Sequence, residues 1–165
     1  MKILGVDPGT KVVGYGVIED TGSSVSMVEC GALTCKASLS VSERLCILYN
    51  QLCEIVSRHQ PDVVAVEQPF MGKNVASALA VGKAQAIAML AGANRGIPVY
   101  EYTPAQIKQR VADYGASTKE QVQKMVSLQL GLSEVPEPAD AADALATALC
   151  HLAEVHLENL LREQA

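Results

Sequence analysis

Several features that would narrow the function of a chain at once are scarce in these 165 residues. No apolar run approaches the ~20 residues that cross a bilayer. The segment after Met1 has one Lys and no small-residue cleavage site, which makes it a poor signal peptide. We therefore expect a cytoplasmic protein that does not enter the membrane. The composition, 49% hydrophobic and 19% charged, favours a single globular domain over residues 1–165.

Cysteine is present, but not in the spacing of a zinc or redox site. The five cysteines are odd in number and form no C-x-x-C pair. The three histidines show no ligand spacing either. We interpret the cysteines as small reduced residues, in keeping with a cytosolic compartment.

Positive charge is also in short supply, since the net charge is −5. Taken alone, this value argues against a polyanionic partner. The charge is segregated, however: residues 68–133 hold seven Lys or Arg and three acids, a balance of +4. Both a locally basic face and a mixed solvated surface remain open.

The order of the hydrophobic runs predicts an α/β layer fold with a mixed sheet. Strands are predicted at residues 2–7, 12–19, 25–34, 62–67 and 98–102. Short turns make the first three strands antiparallel. Helices are predicted at about 42–57, at 74–94, from 104, from the Ser117 cap to about 130, and from 139 to beyond 160. Capping boxes are predicted at Ser40–Glu43, Thr103–Gln106 and Ser117–Glu120.

Two acids stand where apolar strands end. Asp7 closes the run Ile3–Val6, and Glu67 closes the run 63–66. Ligand chemistry in open α/β sheets gathers at the carboxyl ends of strands, and a buried carboxylate needs a partner or a metal. As alternatives, Asp7 caps the Pro8-Gly9 turn, and Glu67 is a strand end that reaches solvent.

Two more acids, Asp140 and Asp143, open the last helix in the segment PADAADALATAL. Their spacing puts them on one face, with Cβ atoms ~5–6 Å apart. An interaction with the helix dipole would explain them, but the apolar neighbours predict burial, where like charges repel unless a cation intervenes. Four carboxylates favour Mg²⁺ or Mn²⁺ over zinc. A pair of such ions serves in-line attack on a phosphodiester.

Three segments, GVDPGTKVVGYGVI, VEQPFMGKN and ADAADALATAL, resemble the signature blocks of the RuvC family of Holliday-junction resolvases. The similarity runs over nearly the whole chain. It implies a ribonuclease H-like fold with a five-stranded mixed sheet, flanked by helices, whose first three strands are antiparallel.

The resemblance also implies a function in homologous recombination and DNA repair. A homodimeric endonuclease would resolve four-way DNA junctions by paired symmetric nicks that leave 5′-phosphate ends. Each site would use two Mg²⁺ ions, with Mn²⁺ as a substitute, held by Asp7, Glu67, Asp140 and Asp143, with Asp7 bridging. The branch-migration proteins RuvA and RuvB are the implied partners.

Four residues near these acids are candidate DNA contacts. Phe70, the one Phe in the chain, and Lys73 lie in the loop after Glu67. Lys108 and Lys119 lie near predicted helix starts, where a bound phosphate is favourable. By resemblance, Phe70 is a wedge that stacks on an unpaired base and the lysines contact DNA. The alternatives are a core anchor for Phe70 and solvated lysines.

Other functions suit parts of the pattern. A YqgF-type resolvase or a ribonuclease H would use the same acids. A sugar kinase or actin-like ATPase shares the Asp-x-Gly-Thr pattern, but needs two such domains and has no role for the Asp140–Asp143 pair. A non-catalytic DNA-binding module has no reason to gather acids near phosphates. The Ala-rich helix 74–94 is a candidate dimer interface, although burial within the monomer explains it equally well.

Overall fold

The computed structural model describes residues 1–68, 75–112, 115 and 117–164. Five strands form one sheet, in the order β3-β2-β1-β4-β5. The strands are β1 (Lys2–Asp7), β2 (Val12–Asp20), β3 (Val25–Thr34), β4 (Val63–Glu67) and β5 (Val99–Tyr102). The helices are α1 (Val41–His59), α2 (Val75–Ala93), α3 (Pro104–Ala112), α4 (Lys119–Gln129) and α5 (Ala139–Glu163). None of the described helices is long and apolar enough to cross a membrane.

The sheet is mixed, as predicted. β1 pairs antiparallel with β2, and β2 pairs antiparallel with β3. On its other side β1 pairs in parallel with β4, which pairs in parallel with β5. The carboxyl ends of these three parallel strands therefore meet at one edge of the sheet, where β1 ends in Asp7 and β4 ends in Glu67.

Each face of the sheet has its own apolar core. Leu4 and Val6 of β1 pack with the α1 and α2 side chains on one face. Ile3 of β1 and Ala65 of β4 pack with α3, α4 and α5 on the other. Because side chains alternate along a strand, Asp7 and Glu67 belong to the α3–α5 face.

Helix α5 lies unusually close to the sheet because the strands beneath it carry glycine. A Cβ atom on Gly5 would lie 2.0 Å from the backbone oxygen of Ala144, and one on Gly14 would lie 2.0 Å from that of Asp140. A Cβ on Gly16 would meet Leu145 at 2.6 Å. Glycine on the strands and alanine on the helix thus allow backbone to approach backbone.

The helix starts agree with the predicted caps at two of three positions. Ser40 and Glu43 form the capping box of α1, and Thr103 exchanges hydrogen bonds with Gln106 at the start of α3. The predicted Ser117–Glu120 box is wrong by one residue, since Thr118 caps α4 with Gln121. Both pairs have the required spacing, but Ser117 is buried.

Candidate active site

The acids at the ends of β1 and β4 are direct neighbours. Val6 pairs with Val66 in the parallel ladder. The next residue of each strand, Asp7 in β1 and Glu67 in β4, therefore lies at the same edge of the sheet. Both carboxylates are partly buried. Their strands therefore present two negative charges side by side on the face that α5 covers.

The close approach of α5 brings two further acids to this edge. Gly14 is the partner of Asp7 in the β1–β2 ladder, and the backbone of Asp140 lies directly over Gly14. Asp140 is in the first turn of α5, and Asp143 follows three residues later. The glycine that pairs with Asp7 thus sets the distance between Asp7 and the start of α5.

A cavity of about 380 Å³ opens between these elements. Three of the four predicted acids line it, together with both predicted helix-start lysines; the lining is Asp7, Glu67, Pro104, Ile107, Lys108, Lys119, Val122, Asp143 and Ala146. Asp140 does not line the cavity, although its charge acts on Asp7 and Lys119. The strand ends and α5 thus contribute acids to the cavity, whereas α3 and α4 contribute lysines.

The carboxylates hold protons more tightly than usual. Burial and, to a smaller extent, the charges of Asp143 and Asp140 raise the pKa of Asp7 to about 7, although the charge of Lys119 opposes them. Burial, followed by the charges of Asp7 and Asp143, raises the pKa of Glu67 to about 8, although Lys119 and Lys108 oppose the shift. Asp7 has an unfavourable charge interaction with each of the other three acids. Such interactions are expected where several carboxylates occupy one small volume.

Asp143 is the acid with the most partners. The Lys119 ammonium donates to Asp143 Oδ2 at 2.5 Å, and Gln123 Nε2 donates to Oδ1 at 3.4 Å. The pair with Asp143 raises the pKa of Lys119. Lys119 is the first residue of α4, so its charge reaches the acids from the helix terminus.

The structure does not favour either structural alternative for the strand-end acids. Within the described ranges, no hydrogen bond from the backbone stabilises the Asp7 carboxylate, so it does not cap the Pro8-Gly9 turn. Glu67 is only partly exposed, and burial is the main cause of its raised pKa. Both acids are held in a place that is unfavourable for a lone negative charge.

The donor set suits a hard divalent cation. Four carboxylates with no thiolate or imidazole are typical of Mg²⁺ or Mn²⁺ sites, and a cation between them would remove the mutual repulsion that raises their pKa values. As the side chains stand, the described residues contain no three such groups close enough to share one ion. A shared ion would therefore require the carboxylates to approach one another more closely.

Two of the predicted DNA contacts, Phe70 and Lys73, lie outside the described residues. Lys108, on α3, lines the cavity and its charge acts on Glu67. His151, left aside by sequence reasoning, is buried and shares a 2.7 Å hydrogen bond between its Nδ1 and the Tyr102 hydroxyl. It joins α5 to β5 rather than facing the cavity.

Sequence reasoning missed Gln123 and the glycines beneath α5. Gln123 has no motif of its own, and only its position four residues after Lys119 on α4 relates it to the site. The glycines, in contrast, could have been recognised from the sequence. Gly14 and Gly16 interrupt an otherwise apolar strand, and a glycine inside a strand often marks a close backbone approach.

Comparison with known proteins agrees with this fold. A family model for the crossover junction endodeoxyribonuclease RuvC matches residues 3–151. A RuvC from Dehalococcoides mccartyi is 52% identical over 163 residues, 99% of this chain and 98% of the relative. One from Chloroflexus aggregans is 55% identical over 151 residues, 92% of each.

A solved structure shares the whole architecture. Thermus thermophilus RuvC in complex with a Holliday junction substrate superposes with a TM-score of 0.86 at 33% identity, over 95% of this chain and 96% of that chain. The predicted ribonuclease H-like fold is thereby confirmed. The chain belongs to the RuvC family of crossover junction endodeoxyribonucleases.

Proposed function

We propose that this chain is a divalent-metal-dependent endonuclease that resolves four-way DNA junctions in recombination and repair. The observation that supports this most is the cavity in which Asp7, Glu67 and Asp143 face Lys108 and Lys119. Acids alone would repel a phosphodiester, and lysines alone would bind it without cutting. Their combination in a family whose Thermus member is known with a Holliday junction substrate favours hydrolysis of that DNA.

The four acids are proposed to hold two Mg²⁺ ions, with Mn²⁺ as a substitute. Asp7 is the proposed shared ligand, since its charge acts on every other acid of the cluster. When bound, such ions lower the pKa of a water and offset negative charge on a departing oxygen. The cut would leave a 5′-phosphate.

The lysines have a separate proposed role. Lys108 and Lys119 come from α3 and α4 and line the same cavity as the strand-end acids. Their ammonium groups would hold non-bridging phosphate oxygens and keep the backbone of the DNA over the acids. Phe70 and Lys73 keep their predicted roles as a base-stacking wedge and a phosphate contact, which rest on the sequence.

We also propose a homodimer, because paired symmetric nicks need two sites. One face of α2 is largely apolar and exposed at helical spacing, with the exposed Lys83 beside it; its apolar residues are Val75, Leu79, Ala86, Leu90 and Ala93. A Cβ on Gly82, in the middle of this helix, would meet nothing within 4 Å. Small residues between large apolar ones permit close approach of a second helix.

The dimer has a matched test within the chain. Leu79 on α2 and Leu160 near the end of α5 are both exposed, at 64% and 55%. Leu79→Arg should convert the protein to a monomer in sedimentation velocity and uncouple the paired nicks, whereas Leu160→Arg should leave the dimer intact. A dimer in both variants, or a wild-type monomer, would exclude α2 as the interface.

A substrate comparison tests the activity itself. The wild-type protein is incubated with a four-way junction, a linear duplex and an RNA–DNA hybrid, each with Mg²⁺ and with EDTA. We expect cleavage of the junction alone, in Mg²⁺ alone, with ligatable 5′-phosphate ends. Preferred cutting of the hybrid would favour a ribonuclease H, and cutting in EDTA would exclude the metal-dependent mechanism.

The remaining proposals follow from family membership. Residues 1–165 are taken as one domain that works in the cytoplasm. RuvA and RuvB, which move the branch point of a junction, are the proposed partners of the complex. A junction bound by RuvA and RuvB should recruit this protein more tightly than the bare junction does.

A further inference from the structure

Lys119 already supplies a cation to the acids that are proposed to bind metal. Its ammonium lies 2.5 Å from Asp143 Oδ2, and the side chains are 56% and 20% exposed. The same charge acts favourably on Asp7, Asp140 and Glu67. Lys119 is therefore the positive group that partly offsets the repulsion within the cluster.

Lys108 offers an internal contrast. It lines the same cavity and its charge acts on Glu67. Within the described part of the chain, however, only Lys119 forms an ion pair with one of these acids. Two lysines thus bring the same charge to the same cavity, and one of them engages a carboxylate oxygen directly.

We propose that Lys119 is an exchangeable counter-cation, which competes with the divalent ion for Asp143 and is released to a DNA phosphate when metal binds. This inference rests on the proposed metal-binding role of the acids. An ammonium and a divalent cation repel each other, and both would bind the Asp143 carboxylate. When the ion enters, the ammonium must leave Asp143.

The two partners differ in how easily they can separate. Lys119 is exposed and has a flexible four-carbon stem, so it can turn outward at little cost. Asp143 is less exposed and is also held through Oδ1 by Gln123. The lysine is therefore the partner that moves, and the phosphate of a bound DNA strand is the anion within its reach.

The exchange couples the two ligands of the site. Without DNA, Lys119 lowers the affinity for metal because it occupies Asp143. A phosphate that takes up Lys119 removes this competition and raises the affinity for metal. By reciprocity, bound metal raises the affinity of Lys119 for the phosphate.

The first test measures metal binding without DNA. Mg²⁺ alone is titrated calorimetrically into the wild-type protein, Lys119→Met and Lys108→Met. Lys119→Met should tighten the Kd for Mg²⁺ by about threefold to tenfold, as expected for the loss of a partly exposed ion pair. Lys108→Met removes the same charge from the same cavity and should change the Kd less than about twofold, because it breaks no pair.

The outcomes separate this inference from the metal site itself. An equal decrease of the Kd for Mg²⁺ in both lysine variants would show a general effect of charge and would overturn the exchange. An unchanged Kd in Lys119→Met would overturn it as well. Asp143→Asn is the reference for the site. If it leaves Mg²⁺ binding intact, the proposed ligand role of Asp143 fails as well. If it weakens binding while Lys119→Met has no effect, only the exchange fails.

The second test measures the release of Lys119 to DNA. Binding of a four-way junction is measured in EDTA for the wild type, Lys119→Met, Asp143→Asn and the double variant. In the Asp143→Asn background Lys119 has lost its acid partner, so it should contribute more to junction binding. Lys119→Met should therefore weaken binding by about threefold more in that background than in the wild type. An equal loss in both backgrounds would contradict the release.

Discussion

The two ends of the sheet both carry acids, and they use them in opposite ways. At the amino end of β1, Asp62 accepts a hydrogen bond from the Lys2 backbone N–H at 2.7 Å, and Asp20 accepts one from that of Gly22 at 2.9 Å. At the carboxyl end, Asp7 and Glu67 are partly buried beside other acids and have raised pKa values.

This contrast distinguishes an acid with a structural role from one with a functional role. All four acids lie next to strand ends and would look alike in a sequence. At the amino end, backbone donors satisfy the carboxylates, and the pKa of Asp20 is lowered chiefly by its bond from Gly22. At the carboxyl end, packing forces negative groups together without such donors in the described chain, which is costly unless a cation binds.

We expect the largest effect from Gly14→Ala, which alters the packing at the carboxyl end of the sheet. In Gly14→Ala the new Cβ would lie 2.0 Å from the Asp140 oxygen, which pushes α5 away from Asp7. We expect a loss of roughly 3 kcal/mol in the free energy of unfolding and a Tm lower by roughly 6–12 °C, with a matching loss of cleavage. Thermal melting and a junction assay measure both.

Gly115→Ala is the control for this change, because Gly115 is exposed and a Cβ there meets nothing within 4 Å. Replacing such a glycine by alanine should leave the Tm unchanged or raise it slightly. If Gly14→Ala melts and cleaves like Gly115→Ala, the glycine contact does not position α5.

A smaller effect is the pH dependence of stability without metal. Asp7 and Glu67 have folded-state pKa values of about 7 and about 8, above their unfolded values near ~4. The folded state therefore binds more protons than the unfolded state between these values, so stability falls as the pH rises from about 4 to about 8. In EDTA the Tm should decrease over this range.

Two additions sharpen this measurement. Mg²⁺ should reduce the decrease, because it replaces the protons that the acids would otherwise bind. Asp7→Asn together with Glu67→Gln should flatten the profile in EDTA. A Tm that rises with pH in the wild type would contradict the proposed crowding of charge at the carboxyl end.

The smallest effect concerns the amino end, where the sign is reversed. The lowered pKa of Asp20 means that its stabilising contribution is present above the unfolded value and is lost as the pH falls below ~4. Asp20→Asn should therefore lose less Tm than the wild type on acidification, by no more than about 3 °C, and should cleave normally. A change in its cleavage rate at neutral pH would show that the two ends are not separate.

Much of the fold was predictable because each strand and helix has a local signal. The apolar runs that end in Asp7 and Glu67, and the capping box at Ser40, mark elements that the structure confirms. The capping box of α4 was misplaced by one residue because Ser117 and Thr118 both satisfy the spacing, and burial decides between them.

The contacts between elements were less predictable. Nothing in the sequence specifies that Lys119 contacts Asp143. The two residues are 24 positions apart, on different helices, and the lysine side chain is flexible. The close approach of α5 to Gly14 depends on the packing of the whole sheet. The exposed apolar face of α2 was equally ambiguous, since an Ala-rich helix can be buried by its own chain or by another.

The most direct test of the difference between the two ends compares Asp7→Asn with Asp62→Asn. Cleavage of a four-way junction is measured in Mg²⁺, and binding of the same junction is measured in EDTA. We predict that Asp7→Asn loses at least about 10³-fold in cleavage rate while still binding the junction, and that Asp62→Asn cleaves like the wild type. Near-normal cleavage by Asp7→Asn, or a loss fully explained by weaker binding, would contradict the proposed role of the carboxyl-end acids.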